Sequence, residues 1–496
     1  MSDTDARNVH DIDEPRLEAL KIYAEGSAYL PFDENKLETI ETESSPTCRV
    51  EQKGTLRMKT KIVLSILMTV SLIVTVGSSS LAQTNPVFVQ LGQAKGALYK
   101  PDSGPAPHIG IIVMHRESNY MNNIACREFS RRGFMVLCMN SRFENNEALV
   151  DWELIPLDVA QGVNHLRNVQ QMSKVILYGN SGGGVTMSFY QAVAENGPSV
   201  CQGTNKLLQC DNNLAGLTPA DGIILSDGHP GNPILRLRSI NPAITNERRP
   251  EDLNSRLDPF DPNNGYNPNG SSQYSDAFKS RYFKAQAERM NRLIDDALEL
   301  LQKIEAGQAT YTDDAPFNIP RFDGARLLSL DPSIRHTTLF PEKLLKNDGS
   351  IVVQFVESIA PSRPELKEAN QTFSEGSREG LTVRSFLSSN AIRATNSMDE
   401  LQIDLCSSNN STPCMLQKVT VPLLAAANQA SFQNLIQEVE INYLYARSAD
   451  KDFIVVEGAT TGVTPCTNCP LPASTYSNVT NNFFNYAAKW INDRFP

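Results

Sequence analysis

An α/β fold on a mostly parallel, doubly wound sheet follows from three features of the sequence. They are short apolar runs that are continuous rather than alternating, helix-compatible stretches between them, and a serine in a glycine cluster where one run ends. The runs are Ile109–Met114, Met135–Met139, Val175–Tyr178, Gly222–Leu225, Val421–Ala425 and Phe453–Val456. A strand covered on both faces has no polar side, so its apolar residues run on without a break. "NIACREFSRRG" and "DVAQGVNHLRNVQQ" separate the early runs as amphipathic helices, and strand alternating with helix is the pattern of a parallel sheet. The final "NNFFNYAAKWINDRF" repeats its apolar positions at helical spacing and predicts a closing helix packed on the sheet.

Residues 231–415 break this rhythm and predict a large, mainly helical cap or lid, set between a first part of the core at 83–230 and a last part at 416–496. Turn-rich "DPFDPNNGYNPNGSSQYSD" leads into a long amphipathic helix in which Phe283, Met290, Leu293, Ile294, Leu298, Leu301 and Ile304 recur near i, i+3, i+4 spacing, with Gly307 as its stop. The insertion leaves from the C-terminal end of a strand, where open α/β sheets bind ligands. A cap over the site is preferred to a merely decorative subdomain. Asp258, Asp261, Asn263, Asn264 and Asn267 share one loop, but turn chemistry accounts for them, and no metal or cofactor is expected.

With 40% hydrophobic and 20% charged residues in a chain of 496, a sizeable core is within reach. The net charge of −11 and the lack of a clustered Lys/Arg patch argue against a nucleic-acid partner. Residues 1–57 are polar with little periodicity, the composition of a disordered extension. From Met58 the chain reads as a signal peptide over 58–82: Lys59 and Lys61, an apolar stretch Ile62–Val76, and a small-residue tail ending Ser80-Leu81-Ala82 before Gln83. The apolar stretch is shorter than the ~20 residues of a spanning helix, so cleavage and export, to the periplasm or the extracellular space, are favoured over an anchor. A membrane partner enters only through this segment if it stays uncleaved. Met58 as the true initiator is preferred to a cytoplasmic extension.

The nine cysteines agree with export. Cys201/Cys210, Cys406/Cys414 and Cys466/Cys469 form close pairs in polar segments and read as small disulfide loops, whereas Cys126 and Cys138, in apolar surroundings, read as buried thiols. "CTNC" at 466–469 lacks a second pair with zinc-ligand spacing.

The chemistry centres on "VILYGNSGGG" at 175–184, in which G-x-S-x-G follows a strand and opens a helix. Gly179, Gly182, Gly183 and Gly184 suit a sharp elbow that presents Ser181, and no Lys-Ser/Thr follows to make a phosphate loop. The chain here resembles the α/β-hydrolase superfamily, and within it a group of secreted, esterase-like serine hydrolases. The resemblance covers most of residues 85–496 and is carried by "YGNSGGG", "LSDGHPG", "LDPFDPNNGY", "RYFKAQAERMNRLI" and "ADKDFIVVEGATTGVTPC". It implies that Ser181 attacks an ester carbonyl, and that the backbone N–H groups of Gly182 and Arg116 hold the oxyanion. His115 then shapes the loop rather than serving as base.

A serine hydroxyl needs an imidazole to take its proton and a carboxylate to orient that imidazole. In the resembling group the loop after the last strand reads like "EGATHG". This chain has Glu457-Gly458-Ala459-Thr460-Thr461-Gly462, with Thr461 at the expected histidine and no histidine after His336. No carboxylate follows "VPLLAAA" either, where Asn428-Gln429-Ala430-Ser431 stands. Asp227 is the best substitute acid and His229 the best displaced base, although Asp227-Gly228-His229-Pro230 also reads as a structural turn. His336 lies in the cap and His165 in a surface helix. The expectation is a secreted serine hydrolase acting on carboxylic esters, with an impaired triad because Thr461 stands at the expected histidine. The alternatives are an inactive binding protein on the same scaffold and a cell-surface interaction protein with a cytoplasmic tail at 1–57.

Overall fold

A computed structural model describes residues 86–371 and 381–496. The predicted extension at 1–57 and signal peptide at 58–82 lie outside the described residues. The sheet has ten strands: β1 (Val87–Leu91), β2 (Ala94–Tyr99), β3 (Ile109–His115), β4 (Met135–Asn140), β5 (Lys174–Asn180), β6 (Gly222–Ser226), β7 (Glu342–Leu345), β8 (Ile351–Gln354), β9 (Leu423–Asn428) and β10 (Lys451–Val456). Their order is β1-β2-β4-β3-β5-β6-β9-β10-β7-β8. From β4 to β7 every neighbouring pair is parallel, while β1, β2 and β8 pair antiparallel at the two edges.

Every apolar run read as a strand is one. Successive side chains alternate between the two faces: Ile112, Met114, Leu177 and Leu225 enter one buried cluster, and Ile111, Val113, Tyr178 and Ile224 the other. Helices Ile155–Asn164 and Gly182–Asn196 contribute to the first layer. Helices Ile124–Ser130 and Val479–Arg494 cover the second, where Phe129 meets the Phe484 ring edge-on at 5.1 Å between centroids. Such aromatic pairs add about 0.5–1.5 kcal/mol beyond burial.

Two corrections arise here. Cys126 and Cys138 are joined in a disulfide, not kept as thiols: the helix holding Cys126 packs on β4, bringing the two Cα atoms to 6.1 Å, within bridging range. The three predicted pairs are also bonded. Within the region read as cap, β7 and β8 extend the sheet beyond β10, so that region is not all cap.

The long helix runs Asp276–Glu305, with Ser275 accepting from the Phe278 N–H at its start and Gly307 left-handed, φ 67°, just past its end. A buried ionic network ties this region to the core. Glu438, on the helix Ile436–Tyr445 after β9, meets Arg326 at 2.5 Å and Arg238 at 3.1 Å, while Arg335 meets Glu400 at 2.7 Å. Removing one partner of such a buried pair costs about 3–5 kcal/mol, so the intervening region is fixed where it crosses the strand ends. Among the described residues no helix is long and apolar enough to cross a membrane. The carboxylates of the Asp258 loop accept backbone N–H groups of Phe260 and Asn263, as turn chemistry requires.

Candidate active site

Ser181 stands between β5 and the helix Gly182–Asn196 at φ 52°, ψ −121°. For a residue with a side chain this is a strained conformation, of order 1–3 kcal/mol, and it persists because the surroundings allow no other path. A Cβ on Gly179 would lie 2.2 Å from the Gly183 carbonyl oxygen, and one on Gly183 2.5 Å from that of Met114. The Ser181 N–H donates to the Ser226 carbonyl at 3.1 Å, which aligns the elbow with β6. The Gly182 N–H begins the helix and has no intrahelical carbonyl to pair with. The Ser181 hydroxyl has no hydrogen-bond partner among the described residues.

Thr461 stands beside the elbow: its carbonyl accepts from Asn180 Nδ2 at 2.7 Å. The hydroxyl at this position contacts Ser431 Oγ at 3.0 Å, and Ser431 donates to Asp227 Oδ2 at 2.8 Å. Asp227 is wholly buried and left-handed at φ 52°, with Asn434 Nδ2 donating to its carbonyl at 2.8 Å. Burial pushes its carboxyl up to about 7 despite the hydrogen bonds from Ser431, Asn434 and Thr461. Thr461, Ser431 and Asp227 thus form one hydrogen-bonded series beside the elbow, with hydroxyls leading to the buried carboxyl. Ser431 and Asn434 have no sequence signal of their own, because they act only through β9 being placed next to β6.

His229 points away from this chain. It is buried, makes no hydrogen bond with Asp227 among the described residues, and its Nδ1 accepts from the Gly231 N–H at 3.1 Å. The neutral ring then carries its proton on Nε2, a donor and not a proton acceptor. Burial, with Arg116 and His115 nearby, holds its pKa well below 6.5. Geometry thus equips His229 to donate, and the sequence-derived role of displaced base is corrected on this ground.

The opposite side of Ser181 holds groups that sequence reasoning set aside. A Cβ on Gly182 would lie 2.2 Å from Arg116 Nη1 and 2.4 Å from His115 Nε2, so both side chains rest on the bare glycine next to the serine. Arg116 donates through Nη2 to Glu147 at 2.8 Å, and its Nε is buried without a hydrogen bond. His115 Nδ1 lies 2.5 Å from Glu117 Oε2. Burial alone would raise the Glu117 carboxyl, but the Arg116 charge and the His115 hydrogen bond outweigh it and hold it at about 2. Burial lowers the pKa of His115, with Glu117 opposing. The remaining histidines of the described residues are elsewhere: His336 Nε2 contacts the Leu328 carbonyl at 2.9 Å, His165 contacts Gln170, and His108 is exposed.

The strand order, with Ser181 on a strained turn after the central β5 and the polar groups gathered at the C-terminal strand ends, defines an α/β-hydrolase fold. No family model matches the chain, and no curated protein matches its sequence. Among solved structures, it is similar to DcsB in complex with its substrate analogue (12% identity over 82% of this chain and 97% of that one, TM-score 0.38). The siderophore hydrolase EstB from Aspergillus fumigatus matches at 10% identity over 82% and 98%, TM-score 0.37. Est1E from Butyrivibrio proteoclasticus matches at 8% over 82% and 100%, TM-score 0.38. Likeness this distant carries no argument about activity, which must come from the side chains.

Proposed function

We propose that this chain is a secreted serine hydrolase that cleaves carboxylic esters through Ser181. The observation that carries the reading is the conformation of Ser181 itself: φ 52° on a serine, held where a Cβ on Gly179 or Gly183 would strike backbone atoms. Strain of this kind gathers where a side chain must be presented to a substrate. The Gly182 N–H beside it is available to a developing oxyanion, a contribution of about 3–4 kcal/mol for one such donor, with the Arg116 N–H as the second. Export is supported by the four disulfides, which persist in oxidising compartments. The partner is a small-molecule ester, with membrane contact limited to residues 58–82 if that segment is retained.

A second reading, a binding protein on a hydrolase scaffold, is favoured by Thr461, whose hydroxyl is engaged with Ser431 where a base is needed. Labelling of the full chain with a fluorophosphonate separates the two. Covalent labelling that vanishes in Ser181→Ala, together with turnover of a nitrophenyl ester, is expected. A parent protein that neither labels nor turns over makes the binding reading the better one.

A further inference from the structure

We propose that His115, oriented by Glu117, is the base that activates Ser181 in place of the histidine missing at position 461. The inference rests on the reading of Ser181 as nucleophile and adds the partner that this reading lacks.

The first support is the tautomer. Nδ1 of His115 is 2.5 Å from Glu117 Oε2, a buried carboxylate oxygen with no other hydrogen-bond partner, so a proton on Nδ1 relieves both groups. The backbone N–H groups of Glu117 and Ser118 donate to the same nitrogen at 3.5 and 3.3 Å, longer than the 3.1 Å Gly231 bond that sets the His229 tautomer, and the shorter, charged contact outweighs them. With Nδ1 protonated, the lone pair of the neutral ring is on Nε2. That arrangement, carboxylate to Nδ1–H and Nε2 free, is the one a triad uses to hold its imidazole.

The second support is position. Nε2 rests on Gly182, the residue after the nucleophile, and has no hydrogen-bond partner among the described residues. The ring is held there by Tyr120, which stacks on it at 5.1 Å and 29° and whose hydroxyl donates to Asn180 at 3.2 Å, on the other side of Ser181. The serine hydroxyl is itself unpartnered and turns about one bond. His229 holds its proton on Nε2, and no other described imidazole is tied to this cluster.

The chemistry then balances within the chain. Nε2 takes the Ser181 proton as Oγ bonds to the ester carbon, and the carbonyl electron pair becomes the oxyanion. As the pair returns, the C–O bond to the alcohol breaks and the alkoxide leaves with the proton from Nε2. A water gives its proton to Nε2 while attacking the acyl-enzyme, and Ser181 recovers that proton on release of the acid. Glu117 is a positioning residue in this scheme. Its charge stabilises the imidazolium formed in each half, which Arg116 opposes and Glu147 assists, with neutral His229 nearby and Tyr120 covering the ring face.

The test is the rate of fluorophosphonate labelling of the full chain as a function of pH. His115→Gln is expected to label at least ~100-fold more slowly than the parent, whereas His165→Gln, on a distant helix, labels at the parental rate. Glu117→Gln is expected to slow labelling about tenfold or more and to move its acid limb to lower pH, because removing the anion makes the imidazole harder to protonate. Labelling that disappears in Ser181→Ala but persists within threefold in His115→Gln overturns the base assignment alone. No labelling of the parent overturns the serine-hydrolase reading and the assignment with it. Should His115→Gln lack the parental melting transition, the Glu117→Gln profile decides: an unmoved acid limb refutes the proposal.

Discussion

Asp227 offers a measurement in which the structure sets both sign and size. Its carboxyl is wholly buried and raised from 3.8 to about 7, a difference that corresponds to about 4 kcal/mol against the charged form. The folded protein therefore binds this proton more tightly than the unfolded chain does. Stability attributable to Asp227 is full below about pH 4, falls as the pH rises from there to about 7, and is level above it. Asp227→Asn removes the titration. Its amide leaves a polar group at the place of Oδ1, which has no hydrogen bond in the parent, a constant cost of about 1–3 kcal/mol. The informative quantity is thus the change in the difference between the two proteins from pH 4 to pH 8, about 4 kcal/mol in favour of the variant. For a large domain this amounts to a swing of ~8 °C in relative Tm. Thermal unfolding of both full chains across that range measures it. Parallel Tm curves would refute the claim that Asp227 is ionised at a cost within the folded site, and with it the view of Thr461–Ser431–Asp227 as an altered triad.

The elbow and position 461 make two further predictions. Gly182→Ala meets only the ends of flexible side chains, Arg116 and His115, whereas Gly179→Ala meets the Gly183 backbone. The first should fold with a loss of about 1–3 kcal/mol and slowed labelling, and the second should be much less stable in denaturant titration. Equal stability of the two would contradict the close packing described. Thr461→His introduced with His115→Gln places an imidazole between the elbow and the Ser431–Asp227 pair, and should restore fluorophosphonate labelling by about 100-fold. Unchanged labelling would show that position 461 is not the place the histidine left.

Much of this protein is legible in its sequence because the relevant forces are local. Continuous apolar runs specify strands buried on both faces, and β3, β4, β5, β6, β9 and β10 fall where such runs lie. A glycine cluster after β5 specifies the elbow, because only glycine lets strand and helix backbones approach so closely. β1, β2, β7 and β8 are not marked by an apolar run: β1 and β8 are the edge strands, with β8 exposed along its whole length, and β2 and β7, next to them, are short and interrupted by Lys95 and Lys343. Cys126 and Cys138 look like core thiols until the helix between β3 and β4 is laid on the sheet.

The same division runs through the site. From sequence alone come the candidate nucleophile Ser181, the turn that carries it, and the threonine at 461, each a matter of residue identity at one position. Only the tertiary structure decides what surrounds them. It turns Asp227 toward Ser431 and Asn434, commits His229 Nδ1 to Gly231, brings His115 and Arg116 onto Gly182, and sets Glu117 beside His115 Nδ1. The physical reason is that proton transfer depends on contacts of about 3 Å between groups on different strands. Those distances are set by sheet order and side-chain packing, neither of which is encoded in the spacing of residues along the chain.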